Sequence, residues 1–336
     1  MTVVAGQEEC RLARAVQRNC DIADARHARE ATMCTYLLQL RELYCWEHEL
    51  PLARAPEKEA FSRWLAEREA RWATLEGAQY DALPLGPGPA DPFDADTVNR
   101  ALAGRALVYS AGYGRFRRAH FFLAALAREE TRDGVRVLVA GRELARDLGA
   151  PLAALQAGTI YVRREGVRRW LWDKLEFWRS RGVGGAHGYA SASDEAAFER
   201  IVDAETETLV LHELGESRAA ALLGPAWEEM LARLEDRRAE LLARAVRDNL
   251  ADCLTTLPAL LEREAHASIH FWFAQFDGLR RELFPSLLAA YRDWSERGAA
   301  RSLARALVAG AAHWERIARR FVSVARPAAD PHAFVL

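Results

Sequence analysis

Val135-Arg-Val-Leu-Val139, set between Asp133-Gly134 and Gly141, is the stretch on which the fold turns. Three valines and a leucine in five residues favour an extended backbone, because branched side chains pack well on a pleated surface. Asp-Gly suits a tight hairpin turn, whose central residues need positive φ. Ala106-Leu-Val-Tyr-Ser110 and Thr159-Ile-Tyr-Val-Arg163 read as two further strands. His120 to Leu126 is apolar almost throughout, and a run that short suits helix or strand. With a short helix near Asp96 to Ala103 and another from about Gly166 to Arg179, residues 96–182 are expected to form a small antiparallel α+β module.

Upstream, Leu83-Pro-Leu-Gly-Pro-Gly-Pro-Ala-Asp-Pro92 breaks both helix and strand and marks a boundary. Before it, 1–82 reads as helical. Asp21 to Glu49 contains no Gly or Pro; Met33, Leu37, Leu40 and Tyr44 recur at helical spacing, with Leu38 and Leu43 widening the stripe. A second helix is expected from about Glu57 to Leu75. Downstream, Gly182-Val-Gly-Gly-Ala-His-Gly188 reads as a flexible connection. Ser191 and Asp194 then resemble capping residues at a helix start. Helices are expected at about 192–215, 226–256, 262–277, 279–297 and 299–324, so that 190–326 forms a bundle. The predicted fold class is mainly α: a helical bundle, to which the N-terminal helices also pack, with a small inserted α+β module.

Composition bounds the rest. Half of the 336 residues are hydrophobic and 28% are charged, as in globular proteins rather than disordered ones. The five cysteines are odd in number and form no CxxC pair, which points to reduced thiols rather than a secreted disulfide framework. No basic start followed by an apolar run marks a secretory signal, and no apolar stretch is long enough to span a bilayer. The expected location is the cytoplasm, away from membranes. The net charge of −2 conceals an asymmetry: Thr97 to Gly182 carries 17 Lys and Arg against 8 Asp and Glu. Such a skew points to an interaction surface.

Glu205-Thr-Glu-Thr-Leu-Val-Leu-His-Glu-Leu-Gly-Glu216 carries the chemistry. Residues seven apart on an α-helix lie about 20° out of register, so Glu205, His212 and Glu216 share a stripe. Glu207 and Glu213 fall off it and are expected to face water. Carboxylates and an imidazole on an inward stripe suit iron or manganese, and also zinc. Asp248 and Asp252 are one turn apart on a later segment, as are His266 and His270. The expected ligands are Glu205, His212, Glu216, Asp252 and His270; a carboxylate beside a ligating His would alternatively fix its tautomer. Cys20, His27 and Cys34 recur every seven residues, with Asp24 one turn before His27, and offer a second, less specific stripe. In the basic module, Arg115, Arg117 and Arg118 follow a Gly-Tyr-Gly turn, and Arg163 and Arg164 close the third strand. Arginines there, interleaved with aromatics, suit an anion or nucleic acid. No GxSxG or Walker pattern is present.

The runs Cys20-Asp-Ile-Ala-Asp-Ala-Arg-His27, Cys34-Thr-Tyr-Leu-Leu-Gln-Leu-Arg-Glu42 and Leu211-His-Glu-Leu-Gly-Glu216 resemble an uncharacterised bacterial family, a likeness that covers most of the chain and implies no activity. Glu205 and His212, seven apart on one helix, are also similar to the haem-oxygenase-like metal oxidases. That family carries a further His and carboxylate group on a later helix; here only His266 and His270 stand near that pattern, without the carboxylate. The expectation is a helical metal-binding protein, a non-haem iron or manganese oxidoreductase acting on an unidentified small molecule. The alternative is a non-catalytic adaptor whose basic module binds an acidic protein partner or nucleic acid.

Overall fold

The computed structural model describes residues 2–30, 32–86, 88–149, 151–181, 189 and 194–325. The elements run α1 (Thr2–His27), α2 (Met33–Glu47), α3 (Lys58–Ala73), β1 (Leu83–Leu85), β2 (Gly88–Ala90), α4 (Ala95–Leu102), β3 (Leu107–Tyr113), β4 (Ala119–Arg132), β5 (Val135–Arg146), β6 (Ala153–Gln156), β7 (Thr159–Arg163) and α5 (Arg164–Ser180). They continue with α6 (Glu195–Leu223), α7 (Pro225–Arg233), α8 (Arg237–Ala251), a π-helical turn (Asp252–Thr256), α9 (Leu257–Glu262), α10 (His266–Gln275), α11 (Gly278–Leu283), α12 (Pro285–Arg297) and α13 (Ala300–Ala325). Among the described residues, no helix is long and apolar enough to cross a membrane.

The expected helical bundle with a small inserted module is corrected by the sheets. Five strands in the order β3-β4-β5-β7-β6 form one curled sheet, and β1 pairs with β2 in another. The ambiguous run at 120–126 is part of β4, the longest strand at 14 residues. It pairs antiparallel with β3, Leu107 opposite Ala125 and Tyr113 opposite Ala119. Its uninterrupted apolarity has a physical cause: both faces are covered. Phe121 and Leu123 point into a core with Leu12, Val16 and Cys20 of α1, while Phe122 and Ala124 join Val108, Leu138, Ala140 and Tyr161. A strand buried on two sides loses the polar alternation that identifies a strand. Helix α1 thus packs on the sheet. The Asp133-Gly134 turn has φ of 50° and 78°, as its hairpin requires.

Two compact units result. One comprises Met1–Thr131, Val137–Leu152 and Tyr161–Trp172; the other comprises Arg132–Arg136, Ala153–Ile160 and Asp173–Leu336. In the first, α2 buries Tyr36, Leu40, Leu43 and Tyr44 rather than the whole expected stripe, and Met33, Leu37 and Leu38 remain exposed. In the second, α6 to α10, α12 and α13 enclose one apolar core around Trp227, Leu250, Ile269, Leu303 and Trp314. The helix expected at 226–256 is interrupted: Asp236 caps a new start by accepting from the Arg238 and Ala239 amides at 2.7 and 2.9 Å. Pro285 begins α12, so the span expected as one helix at 279–297 divides there.

Candidate metal centre

Helices α6 and α8 meet backbone to backbone at Gly215. A methyl group there would run into the Ala251 carbonyl, whose carbon would lie 2.9 Å from it. The glycine lets His212 and Glu216 of α6 come against Asp248 of α8 and Asp252 of the π-helical turn. That turn begins at Asp252, and the Leu257 amide donates to the Asp252 carbonyl five residues back. The wider spacing precedes Pro258, which has no amide hydrogen to give.

His212 Nδ1 donates to Asp252 Oδ1 at 2.8 Å, and its Nε2 lies 3.6 Å from Glu216 Oε1. The second oxygen of Asp252 is taken by Arg280, whose Nε donates to Asn249 Oδ1 at 3.2 Å. Arg247 Nη2 donates to Glu216 Oε1 at 2.5 Å and to Asp248 Oδ1 at 3.4 Å. His212, Glu216 and Asp248 each offer a ligand atom, and the three atoms lie within 4.8 Å of one another.

Four carboxylates share this space, because Glu213 is buried beside them, contrary to its expected place in water. They face two guanidiniums and one imidazole. Burial raises Glu213 to about 8, with Glu216 adding to the rise. Asp248 is raised by burial and by Glu216. Burial would raise Glu216 and Asp252 too, but Arg247 and His212 hold the first at about 2, and Arg280 and His212 hold the second at about 2. Burial would lower His212; Asp252 and Glu216 overcome it and raise the imidazole well above its ordinary value.

The expected ligands thus divide. His212, Glu216 and Asp252 come together, joined by Asp248. Glu205 lies two turns away, about 10 Å along the helix axis. There it accepts from Tyr189 Oη at 2.6 Å, and that hydroxyl also lies 2.9 Å from Ser268 Oγ. Burial raises Glu205 to about 7. His270 shares a hydrogen bond with Tyr291 Oη at 2.9 Å, and its ring centroid is 5.0 Å from that of Trp294. Helix phase identified the stripe; it carried no sign of Glu213, Arg247 or Arg280, although arginines placed among carboxylates are the signal to seek.

The other candidates are held elsewhere. Helix α1 ends at His27, so Cys34 lies on a different helix, α2. Cys20 Sγ donates to the Phe121 carbonyl at 3.3 Å, Asp24 accepts from the Leu148 amide at 2.9 Å, and His27 binds Glu30 at 3.0 Å. Arg163 is buried against Glu143 at 2.7 Å rather than on a surface stripe. Arg118 pairs with Glu30 at 3.1 Å. Arg115 and Arg117 lie in the turn before β4, Arg117 with a φ of 55°, and Arg164 opens α5.

Two family models match the chain. The N-terminal domain of a family of unknown function (DUF6866) matches residues 11–163, and the C-terminal domain of that family matches 168–333. No curated protein and no solved structure matches.

Proposed function

For this chain, which belongs to the two-domain DUF6866 family, we propose that the C-terminal unit binds a divalent metal through His212 Nε2, Glu216 and Asp248. The supporting observation is the Asp252 contact. A carboxylate that takes the Nδ1 hydrogen of a histidine holds the ring with Nε2 turned to the site, and Asp252 does this at 2.8 Å while Nε2 faces Glu216; because Asp252 and Glu216 raise the imidazole well above its ordinary value, a metal at Nε2 would displace a proton there. On this reading Asp252, expected as a ligand, is a positioning residue. Mixed oxygen and nitrogen ligands suit iron(II), manganese(II) or zinc(II). Three protein ligands leave coordination positions open, as oxidoreductase chemistry at iron or manganese needs.

Metal analysis of tag-free protein, followed by anaerobic titration with iron(II), manganese(II) and zinc(II), tests the proposal. The expected result is one ion per chain, with His212→Ala abolishing the uptake. Substoichiometric metal that does not rise on reconstitution would falsify it.

One observation favours a second reading. Arg247 Nη2 already touches Glu216 and Asp248, so the cluster works without metal as an ion-pair network joining α6 to α8. Arg247→Ala separates the two readings. It frees both carboxylates and tightens metal uptake if they are ligands; in a purely structural network it lowers stability and creates no metal affinity.

A further inference from the structure

Helix α13 carries its basic groups outward. Arg301, Arg305, Val308, Ala312 and Arg316 are all exposed and fall within about 80° of arc, with Arg320 at the edge of the same face. Val308 is 74% exposed. Arg301, Arg305, Arg316 and Arg320 make no ion pair among the described residues. The one carboxylate on the helix, Glu315, is taken by Arg319 at 2.7 Å. The face therefore has arginines at both ends, Arg301 and Arg305 at one and Arg316, Arg319 and Arg320 at the other, and Arg305 and Arg316 are about 16 Å apart along the axis. Between them it is apolar and small.

We infer that this face of α13 docks an acidic α-helix of a partner protein. The central residues are small enough for a second helix backbone to approach closely. The flanking arginines would then meet carboxylates one turn apart near each end of the incoming helix. A phosphate backbone is the poorer fit, since it repeats its charge continuously and would leave charge over the uncharged centre. A second copy of the chain is excluded as the occupant of this face by the same charges: two such helices side by side would set arginine against arginine. The inference is independent of the metal reading.

The probe is a synthetic helical peptide of about 19 residues, with a pair of glutamates at each end and alanine and leucine between, its pairs spaced to span the arginine-free stretch. Binding is measured by fluorescence anisotropy to the full chain at two salt concentrations. The expected result is salt-sensitive binding that weakens at least about tenfold, the usual scale for losing a desolvated charge contact, in Arg305→Glu/Arg316→Glu and separately in Val308→Asp. A lysine version of the peptide should bind the double reversal in place of the wild type. Val308→Asp decides the matter should the double reversal fail to fold. The inference is overturned by absence of peptide binding. It is equally overturned if a DNA duplex or a phosphatidylserine vesicle binds more tightly than the peptide and is indifferent to Val308→Asp.

Discussion

Gly215 and Ala251 touch through their backbones, and that contact brings the imidazole of α6 against the carboxylates of α8. A methyl group at 215 would have the Ala251 carbonyl as its neighbour, and backbone cannot rotate away as a side chain does. Gly215→Ala should therefore force α6 and α8 apart. Overpacking of this kind costs about 1–3 kcal/mol, and the Gly-to-Ala gain in helix propensity offsets about 1 kcal/mol at most. Chemical denaturation should show a lower midpoint. A variant as stable as the parent would mean that the two helices adjust freely.

Asp252→Asn should reduce metal uptake without abolishing it. The amide keeps the shape but loses the charge that holds the His212 tautomer, a loss worth about 10–100-fold in affinity at ligating histidines. Titration with manganese(II) would show this, and His212→Ala supplies the full loss for comparison. An Asp252→Asn affinity equal to that of the parent removes the positioning role.

Tyr189→Phe should cost about 1–3 kcal/mol, the penalty for leaving a buried polar group short of a partner. Tyr189 Oη lies between Glu205 and Ser268, so its removal strips a donor from a buried carboxyl. Adding Glu205→Gln should recover part of the loss, because a neutral side chain needs less solvation. Unfolding curves of the two single variants and the double variant measure the coupling.

Stability should fall on both sides of a mildly acidic optimum. Burial raises Glu205 to about 7 in the folded chain, so its contribution is full below the unfolded value near 4.5 and is lost as pH rises through 7. Glu216 and Asp252, held at about 2, behave oppositely: their contribution is present above the unfolded carboxylate range and is lost as pH falls toward 2. Thermal melts from pH 3 to 9 test this. In Glu205→Gln the alkaline decline should flatten, and an unchanged slope would remove Glu205 as its source.

The sequence made the helices and three strands of the larger sheet legible and hid β4, for reasons visible in particular residues. Val135–Val139 declared itself a strand through branched side chains and a hairpin turn. His120–Leu126 could not, since burial on both faces erases alternation. Met33, Leu37 and Leu38 fit a helical stripe yet remain exposed, because periodicity shows that residues share a face without showing that anything covers it. The same limit applies at the candidate centre. Helix phase aligned Glu205, His212 and Glu216, but says nothing about axial distance to a common ligand, and Glu205 is two turns too far along. A single helix drawn alone has one buried side, and on that picture Glu213 faces water. Helix α6 has neighbours in α8, the π-helical turn, β6 and α13, and so has more than one.

The five residues from Asp252 to Thr256 act as a phase shifter. Each residue in an α-helix turns the chain by about 100°, so a locally wider turn rotates everything beyond it relative to everything before it. Upstream, Asp248 and Asp252 are aimed at a charged cluster. Downstream, Leu257 and Leu260 are aimed into the apolar core. Val246 and Leu250, before the turn, line that same core. A π-helical turn takes up roughly one residue more than an α-helical one, so deleting one residue here should restore a regular helix and leave both halves aimed at their present neighbours.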